Sequence, residues 1–573
     1  MMSLTEIPGI GETLAQKLVL EIGSLEDVER ALEDGDVSTL SGIEGISPQR
    51  AVKLINSANG QVGEVTTTDE GRKLHRDLIE NISYHIKTKA AKDRLTILNP
   101  LTKSNFSEIQ SRTIWSKNAI RFVTDNKSSF ESWISHISGL SYTKEPASRI
   151  ERVIVVPNTD VIEELSHINN RCRILVRSDD EKWQDYLGIP RVTWIGFGAP
   201  EEIPSGWVVG KSDDSLYKLV PEIPLQWLKL NSVNLSIISG LLDEVWPISI
   251  IGEKISEPLE KLENLPLLLQ SLDNDSVSLL NLEKSRDGLW GEVKSIEAGV
   301  NDAIVSGTSD ATISFDGDEV LSYYSDISSL ERRLKSTVAD TIDFSLQDGI
   351  RRLEKYLQNT NISIPSEFYS SEYPCVINRE SIEQIETDLD SAILSERSEG
   401  EIAIANSTVK IMKPARQAIS KFIEIDMWLG IGQWAVSNRC TMPKFSISHP
   451  GVWMKDGRHI LLDCEPDPVT YGIGEVAPQG ERERIALLSG ANSGGKTTLL
   501  ETLGSMILLA HSGLPVPASH ASVGLLDELH ILAKVSGTQS AGALERTLKK
   551  LAEVLVSNNR KVILADELEA ITE

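Results

Sequence analysis

Basic charge is in short supply along these 573 residues, with 57 lysines and arginines against 84 aspartates and glutamates, a net of −27. Such a surface repels polyanions as a whole, so any contact with nucleic acid has to be local, through backbone amides, helix ends or a confined basic patch. Cysteine is scarce too. Cys172, Cys375, Cys440 and Cys464 lie far apart with no metal-ligand spacing, which supports neither a disulfide framework nor a zinc module and reads as free thiols of a reducing compartment. Nowhere do 18 apolar residues run together, and the start, MMSLTEIPGIGETL, has neither a basic stretch nor an apolar core for export. The expectation is therefore a soluble cytoplasmic protein. What remains is an ordinary hydrophobic content of 40%, spread over roughly three to five domains of usual size.

Residues 485–500 read IALLSGANSGGKTTLL. An apolar β-type run leads into Gly490, Ala491, Asn492, Ser493, Gly494, Gly495, Lys496 and Thr497, and a helical pattern follows from Thr498. This is the phosphate-loop pattern G-x-x-x-x-G-K-[ST] in a predicted strand-to-helix setting. Its glycines let backbone amides wrap a polyphosphate, and the helix presents its positive end to the same charge. Lys496 is placed for the β- and γ-phosphates and Thr497 for Mg²⁺. Further on, Val562-Ile563-Leu564-Ala565-Asp566-Glu567 is four apolar residues closed by two acids, the form of a Walker B strand. Its carboxyl end is where ligands of a parallel sheet sit. Asp566 is the second candidate metal residue, and Glu567 is positioned to orient or deprotonate the attacking water. ATP and Mg²⁺ are the cofactors these motifs predict.

The first 60 residues hold an internal repeat. Ile7-Pro8-Gly9-Ile10-Gly11 and its following helix align with Ile43-Glu44-Gly45-Ile46-Ser47 and the helix after it, with Lys17 matching Lys53. Each copy is a tight glycine turn opening an amphipathic helix, with the small Ala15 and Ala51 allowing close helix packing. The pair resembles tandem helix-hairpin-helix units. That resemblance implies DNA-backbone contacts through the turns Gly9, Ile10, Gly11 and Gly45, Ile46, Ser47, helped by Arg50 and Lys53. The same segment carries four basic against ten acidic side chains, so a structural or protein-docking use of the hairpins stands beside the DNA reading.

Residues 60–70 lack apolar periodicity and read as a linker, and the stretch from Gly71 to Lys92 is helical and locally basic. Short β-type runs at Val153–Val156, Arg173–Val176 and Val192–Ile195 predict a small α/β unit, in which Trp194 and Trp207 read first as core. Long helical patterns at Ser329 to Gln358 and Ile382 to Ser395, continued from Pro414 to Val436, read as levers or an antiparallel coiled coil.

Between the two nucleotide motifs lie Gly513-Leu514-Pro515-Val516-Pro517-Ala518 and Ser540-Ala541-Gly542-Ala543-Leu544-Glu545. With GANSGGKTT, the closing LADELEAITE, the helix Asp426 to Ala435 and Gly457-Arg458-His459, these motifs resemble the MutS family of ABC-type ATPases. The resemblance is specific over 415–573 and looser over 285–414. It implies a homodimer with two composite ATP sites, in which Ser540 meets the γ-phosphate held by the partner; from the residues alone, Ser540 is an ordinary helix N-cap. His459 reads equally as a structural histidine and as a nucleotide neighbour. Ala491 and Ser493 replace the family's usual Pro and Met. Glu573 follows Glu567 by six positions, whereas the family continues with a switch histidine, further strands and a dimerisation element, so hydrolysis and dimerisation depend on elements past this point.

The resulting expectation is a multidomain α and α/β protein. It comprises a tandem helix-hairpin-helix (1–60), a linker and helical region (61–149), a small α/β unit (150–230), a helical core with levers (231–440) and a P-loop ABC-type ATPase domain cut short after Walker B (441–573). The leading function is an ATP-dependent protein of DNA repair or recombination acting on mismatched or branched DNA; the alternative is a non-hydrolysing nucleotide-binding scaffold. The 70 positions between Lys496 and Asp566 leave no room for the long coiled coil of the structural-maintenance class.

Overall fold

The computed structural model describes residues 4–22, 24–61, 63–146, 149–165, 171–242, 259–273, 276–309, 314–370, 374–462, 465–477, 483–489, 495–532, 552, 556 and 558–566. Two compact units make up the chain: residues 1–147, 230–266 and 411–573 form one, and 148–229 with 267–410 form the other. Among the described residues no helix is long and apolar enough to cross a membrane.

The N-terminal repeat folds as a repeat. In the first copy the Ile10 amide donates to the Ile7 carbonyl at 3.0 Å and the Ala15 amide to Gly11 at 2.9 Å; in the second, Ile46 donates to Ile43 at 3.0 Å and Ala51 to Ser47 at 2.9 Å. Gly9 and Gly45 sit at φ +96° and +86°, a left-handed backbone that a Cβ would strain. Helices α1 (Glu12–Ile22), α2 (Leu25–Glu33), α3 (Val37–Ser41) and α4 (Pro48–Ala58) surround a core that includes Ile7, Ile10, Leu18, Ile43, Ile46 and Ile55. Pro48 occupies the first turn of α4, and the Ser47 hydroxyl caps it by accepting from the Arg50 amide at 3.3 Å. The locally basic stretch then forms α5 (Asp69–Ser83), capped by Thr68.

In the second unit, β1 (Val153–Val156), β2 (Arg173–Val176), β3 (Val192–Ile195) and β4 (Val208–Gly210) form a fully parallel sheet in the order β2-β1-β3-β4. Trp194 and Trp207 are buried and stack on each other with centroids 6.4 Å apart, so both are core. The long helices α6 (Val277–Thr308) and α7 (Ile327–Leu357) run antiparallel: Gly288 lies against Tyr356, and Gly307 against Thr341.

Helix α8 (Arg379–Ser437) is one helix of 59 residues with Pro414 inside it, where the sequence reads as separate stretches. A proline removes one backbone bond, which a helix packed along much of its length tolerates. Its first turns, at Ile382, Ile385 and Leu389, join the core around α6. Its last turns belong to the first unit. Trp428 stacks on Trp115 there, and a Cβ on Gly432 would lie 2.8 Å from the Ala119 backbone.

The rest of the first unit contains a mixed sheet of β5 (Lys444–Ser446), β6 (Gly451–Gly457), β7 (Val469–Gly474) and β8 (His520–Gly524) in the order β5-β8-β6-β7. Beside it lie helix α9 (Lys496–His511) and the parallel pair β9 (Glu528–Leu532) and β10 (Lys561–Ala565). Two sequence expectations are corrected here. Part of the linker at 60–70 is a structural strap: Thr66 pairs in parallel with Leu529, the Leu529 amide donates to the Val65 carbonyl at 2.6 Å, and the Thr67 amide returns to Leu529 at 3.2 Å. A three-residue strand addition is too short for periodicity to register. Conversely, the apolar run before the phosphate loop forms no strand over 485–489, and Ile485 and Leu487 are 84% and 89% exposed. An extended segment is stable as a strand only when a neighbour accepts its ladder, and no described strand pairs with it.

Where α5 packs on α9, His75 is buried, with its Nε2 3.3 Å from the Ser512 hydroxyl. Burial, aided by the nearby Arg112 charge and opposed by a backbone hydrogen bond, pushes this imidazole down to about 4; burial also lowers His511. The unfolded chain therefore binds protons that the folded chain refuses. The neutral-His75 contribution is complete above the ordinary value of 6.5 and is lost as pH falls toward 4. Urea titrations between pH 7 and 4 are expected to show a loss of about 3 kcal/mol from this group. A His75→Gln chain should lack that part of the pH dependence.

Candidate nucleotide site

Helix α9 starts at Lys496 because Gly495, at φ +77°, turns the chain through a left-handed conformation into the first helical turn. Lys496 is half-buried and Thr497 exposed. Asp566 directly follows β10, and its amide donates to the Leu532 carbonyl at 2.9 Å, which ties the carboxyl ends of β9 and β10 together. Its carboxylate accepts the Thr497 hydroxyl at 2.6 Å. Two motifs about 70 residues apart in sequence thus meet at the carboxyl end of a parallel strand pair and at the positive end of a helix, where an anion is stabilised.

A hydroxyl and a carboxylate side by side are hard oxygen donors. They fit Mg²⁺, which takes one or two protein oxygens and fills its octahedron with water and phosphate oxygens. Thr498 lies half-buried in the same turn. Gly490, Ala491, Asn492, Ser493, Gly494, Ser540 and Glu567 lie outside the described residues.

His459 is buried, and its Nε2 is 3.2 Å from the Glu501 carboxylate. That approach lacks hydrogen-bond alignment, and neither ring nitrogen has a hydrogen-bond partner among the described residues. Glu501 stands one turn beyond Thr497 on the same face of α9, so His459 borders the first turns of that helix. The sequence singled out His459 but not Glu501, although the i, i+4 spacing from Thr497 carries the signal.

The predicted DNA residues separate into two groups. Gly9, Gly11, Gly45 and Ser47 are exposed on the turns, as are Arg50 and Lys53 on α4. Ile10 and Ile46 differ from the expectation that their amides face a phosphate: their side chains are buried and their amides are engaged by the Ile7 and Ile43 carbonyls. The Arg50 guanidinium donates to the Gly45 carbonyl at 3.1 Å, so it lies over its own turn. Lys17, which sequence reasoning left out, donates to the Glu44 carbonyl at 2.8 Å and adds a cation to that turn; the repeat alignment with Lys53 was the available signal.

A family described as SAM-like helix-hairpin-helix tandem matches residues 1–59. The chain is 30% identical over 229 residues to the DNA-binding protein MutS2 of Pyrococcus furiosus, covering 39% of this chain and 40% of that protein. It is 32% identical over 153 residues to the endonuclease MutS2 of Fusobacterium nucleatum subsp. nucleatum, covering 26% of this chain and 19% of that one. It is also 23% identical over 364 residues to the DNA mismatch repair protein MutS of Christiangramia forsetii, covering 63% of this chain and 38% of that one. Over these stretches the chain is similar to proteins of the MutS family. The chain combines the N-terminal hairpins with a mixed α/β architecture containing long helices and parallel sheets. Its matches span less than half the length of each of these relatives.

Proposed function

We propose that this chain is an ATP-dependent DNA-binding protein of repair or recombination, hydrolysing ATP in a dimeric composite site and coupling that to mismatched or branched DNA. The observation that carries the reading is the 2.6 Å contact between the Thr497 hydroxyl and the Asp566 carboxylate at the start of α9. In this reading the amides of residues 490–495 wrap the polyphosphate, and Lys496 sets its ammonium against the β- and γ-phosphates. Thr497 and Asp566 hold Mg²⁺, which when bound neutralises charge on the phosphates. Glu567 orients and deprotonates the attacking water, and Ser540 of a second copy closes the site over the γ-phosphate. The N-terminal turns hold DNA by its backbone, an arrangement that positions without reading sequence and suits an acidic protein.

ATP turnover measured alone and with plain, mismatched and four-way branched duplexes tests this reading, beside a Lys496→Ala control. We expect DNA-dependent turnover that the control abolishes. Turnover indifferent to every DNA would remove the coupling. Intact Mg-ATP binding without turnover would favour the non-hydrolysing scaffold, the second reading supported by the same pair of oxygens.

A further inference from the structure

We propose that the carboxyl end of the parallel sheet β2-β1-β3-β4 is a docking site for a basic segment of a partner protein, an arginine or lysine beside an apolar side chain, with Phe197 as the anchor. The site lies wholly within the small α/β unit and is independent of the nucleotide reading. The strand order places β2 on one side of β1 and β3 on the other, so the connections diverge at the carboxyl end and leave a crevice there, the usual ligand position in such sheets. A cleft of about 750 Å³ opens at this place, between Pro157 after β1, the loop after β2 and the loop after β3.

Phe197 is 83% exposed although it stands on a fixed backbone. Gly196 and Gly198, at φ +93° and +74°, turn the chain on either side of it. Its carbonyl accepts from the Trp194 indole at 3.2 Å and from the Arg177 guanidinium at 2.8 Å. The same guanidinium lies 4.5 Å from the Trp194 ring centroid and 5.0 Å from that of Phe197. One face of Phe197 therefore rests on Arg177 and the other is open. A large apolar ring held rigidly in water loses little entropy when a partner covers it, which is how interface anchors work.

The rim identifies the partner by charge. Asp179, Glu181, Glu201 and Glu202 are exposed around the cleft against two cations, Lys182 and the half-buried Arg177, so the acids outnumber the bases there. A phosphate backbone is repelled by that rim. A guanidinium or ammonium is attracted, and its flat or compact face suits the open side of Phe197.

The test is anisotropy titration of a fluorescein-labelled peptide, Gly-Arg-Leu-Arg-Leu-Gly, with the full chain, Phe197→Ala and the double variant Glu201→Gln, Glu202→Gln. Phe197 is solvent-exposed, so its replacement leaves the fold intact, checked by an unchanged Tm. We expect saturable binding, weakened about tenfold by Phe197→Ala, and weakened with reduced salt dependence in the double variant. Equal binding by all three proteins would show attraction to acidic surface at large and overturn the proposal, as would no saturable binding by the full chain. Phe197-dependent binding of a thymidine oligonucleotide in place of the peptide would also overturn it, because the ring would then be a base-stacking face.

Discussion

Asp566→Asn is expected to lower ATP turnover ~100-fold or more while leaving the protein folded. The exchange keeps the size and shape of the side chain, and its carbonyl oxygen still accepts the Thr497 hydroxyl now held at 2.6 Å. That hydrogen bond is solvent-exposed and contributes about 1 kcal/mol at most, so the urea midpoint should barely move. What is lost is the negative charge beside Thr497. Mg²⁺ gives up its water reluctantly and depends on one or two carboxylates with the phosphates, so a neutral amide holds it poorly where charge develops on the transferring group. Thr497→Val, which keeps volume and removes the hydroxyl, should lower turnover through the same ion. Lys496→Ala should instead weaken nucleotide binding itself. Thermal shift separates them: Mg-ATP at a hundred times its Kd stabilises the folded chain by about 2.7 kcal/mol, a protection Lys496→Ala should lose. Wild-type turnover by Asp566→Asn would sink the nucleotide assignment.

The parts of this site that were legible in sequence are those in which one residue type does one job. Gly495 is needed for a left-handed turn, Thr497 and Asp566 for oxygen donors, and the apolar Val562 to Ala565 for a strand paired with β9; each left a local signature. The first three strands of the α/β unit were legible to the residue for the same reason, as apolar runs separated by polar stretches. The three-residue β4 beside them was not, because so short a strand has no period to show. Pairing across distance left no signature either. Val65 and Thr67 clasp β9 through backbone atoms, with the Thr67 hydroxyl adding a bond to the Leu529 carbonyl at 2.9 Å; polar and backbone contacts of this kind leave no apolar period, so the segment read as a linker. Ile485 and Leu487 have strand-like composition without a described strand partner, and composition cannot report whether a neighbour arrives. In the hairpins, the turn glycines were legible but the fate of the amides between them was not: the repeat told which residues are equivalent, and only the fold told that Ile10 and Ile46 turn inward.

Arg152→Ala is expected to destabilise the α/β unit by about 3–5 kcal/mol. The Arg152 side chain is 2% exposed, and its Nε and Nη2 each lie 2.8 Å from a different oxygen of Glu222, itself 8% exposed. The remaining donors reach the Val192 carbonyl at 2.8 Å and the Gly206 carbonyl at 3.0 Å, so one guanidinium joins the segments around β3 and β4 to the helix at Glu222–Leu230. Truncation strands a buried carboxylate, with only Arg191 at 3.7 Å to answer it among the described residues, and leaves two carbonyls without this donor. Removing both charges together, as Arg152→Leu with Glu222→Leu, should cost less than the single change, because no buried ion is left unpaired. The chain has two units, so a single unfolding midpoint would mix them. Hydrogen exchange of peptides covering β1 and β3 reads this unit directly: protection should fall by roughly two to four orders of magnitude in Arg152→Ala and partly recover in the double variant. Unchanged protection in the single variant would mean that the surrounding backbone and water can satisfy Glu222, and that the pair contributes specificity of packing rather than stability.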